Sequence, residues 1–109
     1  MTTPIALIVS IHVLDGHAEE YLRLSRPVLD AMRHEPTFIN TVQHRDPDDP
    51  NRFMLYETWA DRAEFFEVQM TRPYRLPYER RLAEILRTPR TMHVWEPLRA
   101  DFTFFDRSR

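Results

Sequence analysis

The spacing of apolar residues along the chain predicts a strand followed by an amphipathic helix. Residues 5–13 are apolar and often β-branched at both odd and even positions, which is typical of a strand covered on two faces. The only glycine, Gly16, follows where the chain must turn. From Ala18 to Met32 the apolar residues recur at helical spacing. The Glu35-Pro36 pair ends this helix, because a residue before proline avoids the helical conformation.

Two further strands follow the first helix, and a segment rich in turn-forming residues joins them. Residues 38–44 alternate between apolar and polar side chains, and residues 53–59 are apolar at both parities. Between them, residues 46–51 consist only of Asp, Pro and Asn, which favour turns. We therefore expect two consecutive strands with the turn spread over residues 46–51.

The last part of the chain predicts two helical segments, a strand and an aromatic tail. Asp61, with Glu64 three residues later, resembles a capping box that opens a helix through Gln69. A further helical segment covers residues 78–86, and residues 92–96 form a fourth strand. The pattern ends in an aromatic tail made of Phe102, Phe104 and Phe105.

The predicted order βαββαβ is typical of a ferredoxin-like α+β fold, with an antiparallel sheet and helices on one face. We expect a single domain over residues 1–109, with its core at residues 5–98 and the tail at residues 99–109. Helices on one face leave the other face bare, although the first and third strands are apolar on both. Because a monomer rarely exposes so large an apolar patch, we expect a homodimer joined through the open sheet faces, with the aromatic tail as an extra clasp.

The composition narrows the available chemistry. The 109 residues include no Cys, no Lys and one Gly, so that all 15 basic residues are Arg. These absences exclude disulfides, thiolate nucleophiles, iron–sulfur ligation, Schiff-base lysines and glycine-rich nucleotide loops. A net charge of −2 gives no basis for binding nucleic acid or an anionic membrane. We expect a cytoplasmic protein, because no apolar run could span a bilayer and no basic signal-peptide region is present.

Several motifs together resemble the antibiotic biosynthesis monooxygenase (ABM) family. The strongest is the run at residues 49–59, DPNRFMLYETW, which is similar to a strand motif of that family. Gly16 before the first helix, Glu35-Pro36 before the second strand and the TRPY segment at residues 71–74 also match. The resemblance covers residues 5–98. It implies a dimeric α+β barrel with a ligand cavity between sheet and helices, and activities such as cofactor-free oxidation of polyphenols and quinols, haem degradation or isomerisation of a phosphorylated signal.

Three positions depart from the family pattern. The histidine that the family often carries near the end of the second helix is replaced by Gln69, and a second histidine is replaced by Tyr74. The glycine that usually follows Glu-Pro is Thr37. Haem-degrading members need an axial histidine, so haem is disfavoured here. We expect no cofactor.

Glu57 is the candidate catalytic residue. It shares one parity of the third strand with Phe53, Leu55 and Trp59, and therefore one face of the sheet. The family resemblance implies that this face borders the cavity. A carboxyl group desolvated there would have a raised pKa, which suits a general base for a phenol or enol. The alternative is a structural glutamate satisfied by backbone amides or by an arginine.

The candidate substrate-binding residues surround the same predicted cavity. Trp59 could stack on a planar ligand or simply fill the core, and Gln69 and Tyr74 could hydrogen-bond ligand oxygens or lie at the surface. Val9 and Leu55 would line the pocket without chemistry. The full predicted set is Val9, Leu55, Trp59, Gln69, Arg72 and Tyr74.

Charged side chains near these positions have alternative interpretations. Arg72 and Arg75 flank the Pro73-Tyr74 turn and could guard a pocket mouth for an anionic substrate, although such arginines are more often solvated. Ser10, His12 and His93 could share the dimer-facing side of adjacent strands, and His44 lies near the end of the second strand. Because no close metal-binding motif occurs, we expect no metal site.

Three functions remain open. The first is a cofactor-independent monooxygenase that oxidises a small aromatic, polyphenol or quinol-like substrate with O₂. The second is an isomerase-type proton-transfer enzyme acting on a small phosphorylated or carboxylated substrate held by Arg72 or Arg75. The third is a non-catalytic ligand-binding dimer, which the replacement of both family histidines favours.

Overall fold

The chain folds into one four-stranded sheet with helices packed on one side. The structure, a computed structural model, describes residues 3–103. The strands are β1 (Ile5–His12), β2 (Phe38–Asp46), β3 (Asp49–Trp59) and β4 (Thr91–Trp95). The helices are α1 (Ala18–Met32), α2 (Arg62–Glu67) and α3 (Leu76–Ile85), with two short 3-10 turns at Gln69–Thr71 and Pro73–Arg75 between α2 and α3. No helix within residues 3–103 has the length and apolar character needed to cross a membrane.

The sheet has the order β2-β3-β1-β4, and every neighbouring pair is antiparallel. This confirms the predicted ferredoxin-like α+β fold. Gly16 has a φ of +84° between β1 and α1, a backbone conformation that favours glycine. The predicted role of this single glycine as a turn is therefore confirmed.

The β2–β3 hairpin corrects the predicted width of the turn. Asp46 pairs with Asp49 across the two strands, so that only Pro47 and Asp48 form the loop. The carboxylate of Asp46 accepts a hydrogen bond from the backbone N–H of Asp48 at 2.8 Å. Such local bonding lets an Asp-rich segment turn within two residues, so the ladder extends into a segment whose composition indicated only a loop.

The second helix begins as predicted and ends earlier. The side chain of Asp61 accepts the backbone N–H of Glu64 at 3.1 Å, which confirms the cap. Regular α-helix stops at Glu67 instead of Gln69, and the chain tightens into 3-10 turns before Pro73. Gln69 is fully buried in the first of these turns. Its tertiary hydrogen bonds, described below, account for this inward position.

The hydrophobic core lies between the helices and one face of the sheet. Alternate residues of β1 and β3 point into it, as the parity of the sequence predicted. The buried strand residues of this face are Ile5, Leu7, Val9, Ile11, Phe53, Leu55, Glu57 and Trp59, while Ala6 and Thr58 are buried on the other parity. Tyr21 and Val28 of α1, Phe65 of α2 and Leu82 of α3 pack against them.

The opposite face of the sheet carries no helix within residues 3–103. The strand register places Val42, Tyr56, Ile8 and His93 side by side in one row across this face. Tyr56 is 37% exposed, and Trp95 in the adjacent row is 59% exposed. Phe102 of the predicted clasp is largely exposed, whereas Phe104 and Phe105 lie outside the described residues.

Candidate functional site

A small cavity lies between the sheet and the helices, as the family resemblance implied. The space open to the centre of a water molecule is about 30 Å³. The cavity therefore has room for one or two waters. The apolar part of its wall includes Val9, Leu55, Phe65, Met32, Met70 and Met92. The polar part includes Glu57, Ser25, Arg75, Tyr78, Glu79 and Arg90. The cavity thus combines an apolar wall with several ionisable groups.

Glu57 reaches this cavity from the centre of β3. Its residue is 6% exposed, and its Oε1 accepts a hydrogen bond from the indole Nε1 of Trp59 at 3.1 Å. Burial raises the pKa of Glu57 above its ordinary value, although the Trp59 bond and the positive charges of Arg75 and Arg90 oppose this shift. No arginine of the described residues lies close enough to form an ion pair with it. A desolvated carboxyl of this kind can accept a proton from a weakly acidic ligand.

Val9, Leu55 and Glu57 lie where the sequence predicted, whereas Trp59 does not line the cavity. Trp59 is fully buried and packs edge-on against Phe38, with ring centroids 5.4 Å apart, and against Phe65 at 5.3 Å. Its indole is therefore enclosed in the core and cannot stack on a ligand in this arrangement. Its contact with the site is the hydrogen bond to Glu57.

Gln69, Arg72 and Tyr74 also lie outside the cavity wall, and their side chains converge on Glu35. Gln69 Nε2 donates to Glu35 Oε2 at 3.0 Å, Arg72 Nη2 donates to the same oxygen at 3.1 Å, and the Tyr74 hydroxyl is 3.3 Å from Glu35 Oε1. These four residues are called the Glu35 cluster below. These three side chains contact the carboxylate of Glu35 because the segment after α1 brings it against them. Their contact with a ligand stays a prediction.

The Glu35 cluster extends to α2 through a second carboxylate. Gln69 Nε2 also donates to Glu64 Oε1 at 2.8 Å, and Glu64 Oε2 accepts from the Thr37 hydroxyl at 2.7 Å. Burial alone would raise the pKa of Glu35, but hydrogen bonds from Gln69, Arg72 and Tyr74 outweigh it and lower that pKa. The cluster therefore fastens the end of α1 to the turns that precede α3.

Arg75 is the site residue whose position the sequence did not indicate. It was expected at a pocket mouth or in solvent, but it lines the cavity and is 7% exposed. Its Nε and Nη2 are buried and have no hydrogen-bond partner among the described residues. Arg90, the other cavity arginine, differs because its Nη1 is paired with Glu79 at 2.9 Å. Only tertiary packing distinguishes Arg75 from the exposed arginines around it.

Neutral polar groups lie in and behind the wall of the cavity, which includes Ser25 and Tyr78 but neither Gln43 nor Tyr21. Gln43 Nε2 donates to Ser25 Oγ at 3.0 Å and is 3.4 Å from the Tyr21 hydroxyl. Burial raises the pKa values of both Tyr21 and Tyr78. These two phenols therefore stay protonated at neutral pH and can donate hydrogen bonds. Tyr78, which lines the cavity, was predicted only as an apolar helix position.

The site does not fit haem, and the described residues offer no metal centre. Gln69 stands where the family carries an axial histidine, and its amide nitrogen is directed at Glu35 and Glu64 instead of the cavity. None of the chain's histidines lines the cavity. Within residues 3–103, no three His, Asp or Glu side chains are grouped closely enough to hold a metal ion. His12 instead pairs with Asp49 at 3.1 Å.

Comparison with known proteins identifies the class to which this fold and cavity belong. A model of the family described as antibiotic biosynthesis monooxygenase matches residues 4–75. The protein named "Putative monooxygenase GME11364" from Pestalotiopsis microspora is 32% identical over 95 residues, which cover 86% of this chain and 79% of that protein. The chain therefore belongs to the antibiotic biosynthesis monooxygenase family, and the resemblance found in its motifs is confirmed.

Solved structures share the fold at low sequence identity. "Putative antibiotic biosynthesis monooxygenase from Nitrosomonas europaea" has a TM-score of 0.81 and 22% identity, covering 90% of this chain and 93% of that chain. SnoaB, described as a cofactor-independent oxygenase from Streptomyces nogalater, has a TM-score of 0.77 and 15% identity, covering 91% and 97%. At these identities the likeness concerns the fold alone.

The Glu35 cluster leads to a prediction about stability and pH. Glu35→Gln should lower the free energy of unfolding by about 1–3 kcal/mol at pH 7, because buried donors lose a charged acceptor. A carboxyl with a lowered pKa stabilises the fold above its unfolded-state pKa, and this contribution is lost as the pH falls through the folded-state pKa. The difference in the free energy of unfolding between the native protein and Glu35→Gln should therefore shrink when urea unfolding is repeated under acidic conditions. Glu67→Gln, the same change at an exposed position of α2, should be nearly neutral, and an equal loss there would contradict the assignment.

The raised pKa of Glu57 predicts that a Glu→Gln change at this position stabilises the fold, the opposite of the effect predicted for Glu35. The folded state disfavours its ionised form, so ionisation of Glu57 costs stability as the pH rises from the unfolded-state pKa through the raised folded-state pKa. Glu57→Gln should therefore need more urea to unfold than the native protein at pH 8, while the two should converge in acid. If the Glu57→Gln variant is instead less stable than the native protein at pH 8, the carboxylate is satisfied structurally.

Proposed function

We propose that this protein is a cofactor-independent monooxygenase that oxidises a small aromatic, polyphenol or quinol-like substrate with O₂. The observation that carries the proposal is the desolvated carboxyl of Glu57 in the wall of a mostly apolar cavity. Family membership and the names of the Pestalotiopsis protein and SnoaB support the same reaction class. Val9 and Leu55 supply apolar contacts for the ring of the substrate.

The proposed reaction needs a base and a dry cavity, both of which the chain's own residues supply. Glu57 accepts a proton from an acidic C–H or O–H of the substrate, and Tyr78 donates a hydrogen bond to the resulting anion. The electron-rich anion passes an electron to O₂, and the two radicals combine to give a peroxide anion. This anion takes the proton back from Glu57, and the resulting hydroperoxide eliminates water. For a substrate methylene, one oxygen atom becomes the carbonyl and the other leaves as water with the two hydrogens, so that atoms and electrons balance.

Substrate entry requires the cavity to enlarge. The present volume admits one or two waters, whereas an aromatic ring is several times larger. Met32, Met70 and Met92 line the cavity, and unbranched methionine side chains change rotamer readily. We propose that the ring displaces these side chains and leaves the carboxyl of Glu57 in place.

We further propose that two copies of the chain form a homodimer through the open faces of their sheets. Ile8, Val42, Met54 and Tyr56 present apolar surface there, and no helix of residues 3–103 covers them. Burial against a second copy would remove this surface from water.

An isomerase-type proton transfer is a second candidate, and the unpaired Arg75 in the cavity favours it. Arg75 could hold the phosphate or carboxylate of a substrate while Glu57 moves a proton. Such an enzyme would turn over its substrate without O₂. A non-catalytic ligand-binding protein would form no product under either condition.

The oxygenase proposal predicts oxygen uptake that depends on Glu57. With anthrones and dihydroxynaphthalenes as substrates, the native protein should consume O₂ faster than autoxidation, and Glu57→Gln should reduce this excess rate by about 100-fold or more, as expected on removing a general base. The excess rate should fall as the pH drops through the raised pKa of Glu57, because only the ionised carboxyl accepts a proton. An oxygen electrode with product analysis measures both effects.

The control for this experiment is Glu67→Gln, which removes the same charge from an exposed helix position and should leave the rate unchanged. A native rate equal to autoxidation for every compound, and insensitive to Glu57→Gln, would reject the oxygenase proposal. Turnover that continues under nitrogen would favour the isomerase.

The dimer proposal is tested by placing a charge on the open sheet face. Tyr56→Arg should convert a dimer into a monomer in sedimentation experiments, because a guanidinium would be buried without a partner. Phe66→Arg is the matched control: Phe66 is 40% exposed against 37% for Tyr56, but it lies on α2. This interface would be contradicted if the native protein sediments as a monomer, or if the Tyr56→Arg and Phe66→Arg dimers dissociate to the same extent.

A further inference from the structure

The guanidinium of Arg75 is buried without a hydrogen-bond partner for two of its nitrogens. Nε and Nη2 are both enclosed and unpaired among the described residues, although the residue is only 7% exposed. Burying donors of a charged group without acceptors is costly. The ring of Tyr74 lies beside this guanidinium, with its centroid 5.8 Å from Arg75 Cζ. A ring face supplies weak attraction and no acceptor for these two N–H groups.

The other charges of the cavity do not neutralise Arg75. Glu79 and Arg90 form their own ion pair at 2.9 Å. Glu57 accepts the indole hydrogen of Trp59 and makes no ion pair within the described residues. The cavity therefore contains one cation that forms no ion pair within the described residues, although its positive charge acts on Glu57 in the same wall.

The two unpaired nitrogens define the shape of the missing partner. Nε–H and Nη2–H lie on the same edge of the planar guanidinium and point in parallel. This edge is the one that binds both oxygens of a carboxylate in a two-bond, coplanar arrangement. A lone hydroxyl or carbonyl oxygen would satisfy only one of the two donors.

We infer that Arg75 binds the carboxylate of an aromatic acid in the cavity, with both carboxylate oxygens on Nε and Nη2. The inference rests on the proposed function only in taking this cavity as the ligand site. It narrows the substrate class from aromatic or quinol-like molecules to those that carry a carboxylate. Arg75 would then fix the substrate by its carboxylate while Glu57, on the same wall, faces the acidic hydrogen of the ring system.

Salicylate and salicylamide test the inference, because the two molecules have nearly the same shape and differ in the charge of one group. At pH 7 the native protein should bind salicylate at least about tenfold more tightly than salicylamide, as expected for a charge-assisted bidentate pair. Arg75→Gln should abolish this preference, whereas Arg80→Gln, which removes an arginine from an exposed position of α3, should keep it. Arg75→Lys retains the charge without the planar donor edge and should keep only part of the preference. Calorimetric titration gives each pair of dissociation constants.

The ratio of the two constants within one variant is the deciding quantity, so a general loss of affinity or stability does not affect the result. Circular dichroism of each variant establishes that it is folded. If Arg75→Gln does not fold, the reduced preference expected of Arg75→Lys tests the inference in its place. Equal binding of both probes by the native protein, no binding of either, or an intact preference in Arg75→Gln would overturn the inference. Oxygen uptake is a separate readout: a carboxylate preference without O₂ consumption would reject the oxygenase and leave this inference standing.

Discussion

The burial of two ionisable side chains beneath one sheet is the constraint on which the rest of this structure depends. Glu57 and Arg75 both line the cavity and are almost completely excluded from solvent. In water these groups would be solvated, and in the core each must find an acceptor or donor or change its protonation. The chain gives Glu57 the indole of Trp59 and leaves two donors of Arg75 open. The cavity therefore combines an apolar wall with a carboxyl whose pKa is raised and a guanidinium with two unpaired donors among the described residues.

The Glu35 cluster shows what the chain does with Gln69 and Tyr74, the two positions at which the family resemblance leads one to expect histidine. Gln69 donates hydrogen bonds to the carboxylates of Glu35 and Glu64, and Tyr74 contacts Glu35 from the following turn. These contacts join the segment after α1 to the turns before α3. They also hold in place the short segment from which Arg75 enters the cavity. Gln69 thus supplies a structural contact close to the site.

Much of the fold could be predicted because it depends on local periodicity. The alternation in β3 put Phe53, Leu55, Glu57 and Trp59 on one face, and the helical spacing from Ala18 to Met32 fixed α1. The predicted ends of strands and helices were less accurate where side chains form hydrogen bonds with nearby backbone. The Asp-rich hairpin continues the ladder to Asp46 and Asp49. The end of α2 likewise depends on the contact of Gln69 with a residue 34 positions earlier in the chain, which no local pattern contains.

By itself, the sequence determined the order of elements and the face of the sheet that bears Glu57, because both follow from periods of two and 3.6 residues. It also determined the absence of thiol and lysine chemistry, which follows from residue type. Only the tertiary structure decided which polar residues share the cavity. Arg72 and Arg75 lie three positions apart on either side of the Pro73-Tyr74 turn, yet the first pairs with Glu35 and the second lines the cavity. The difference arises because a side chain's solvation and partners depend on segments distant in sequence, which packing alone brings together.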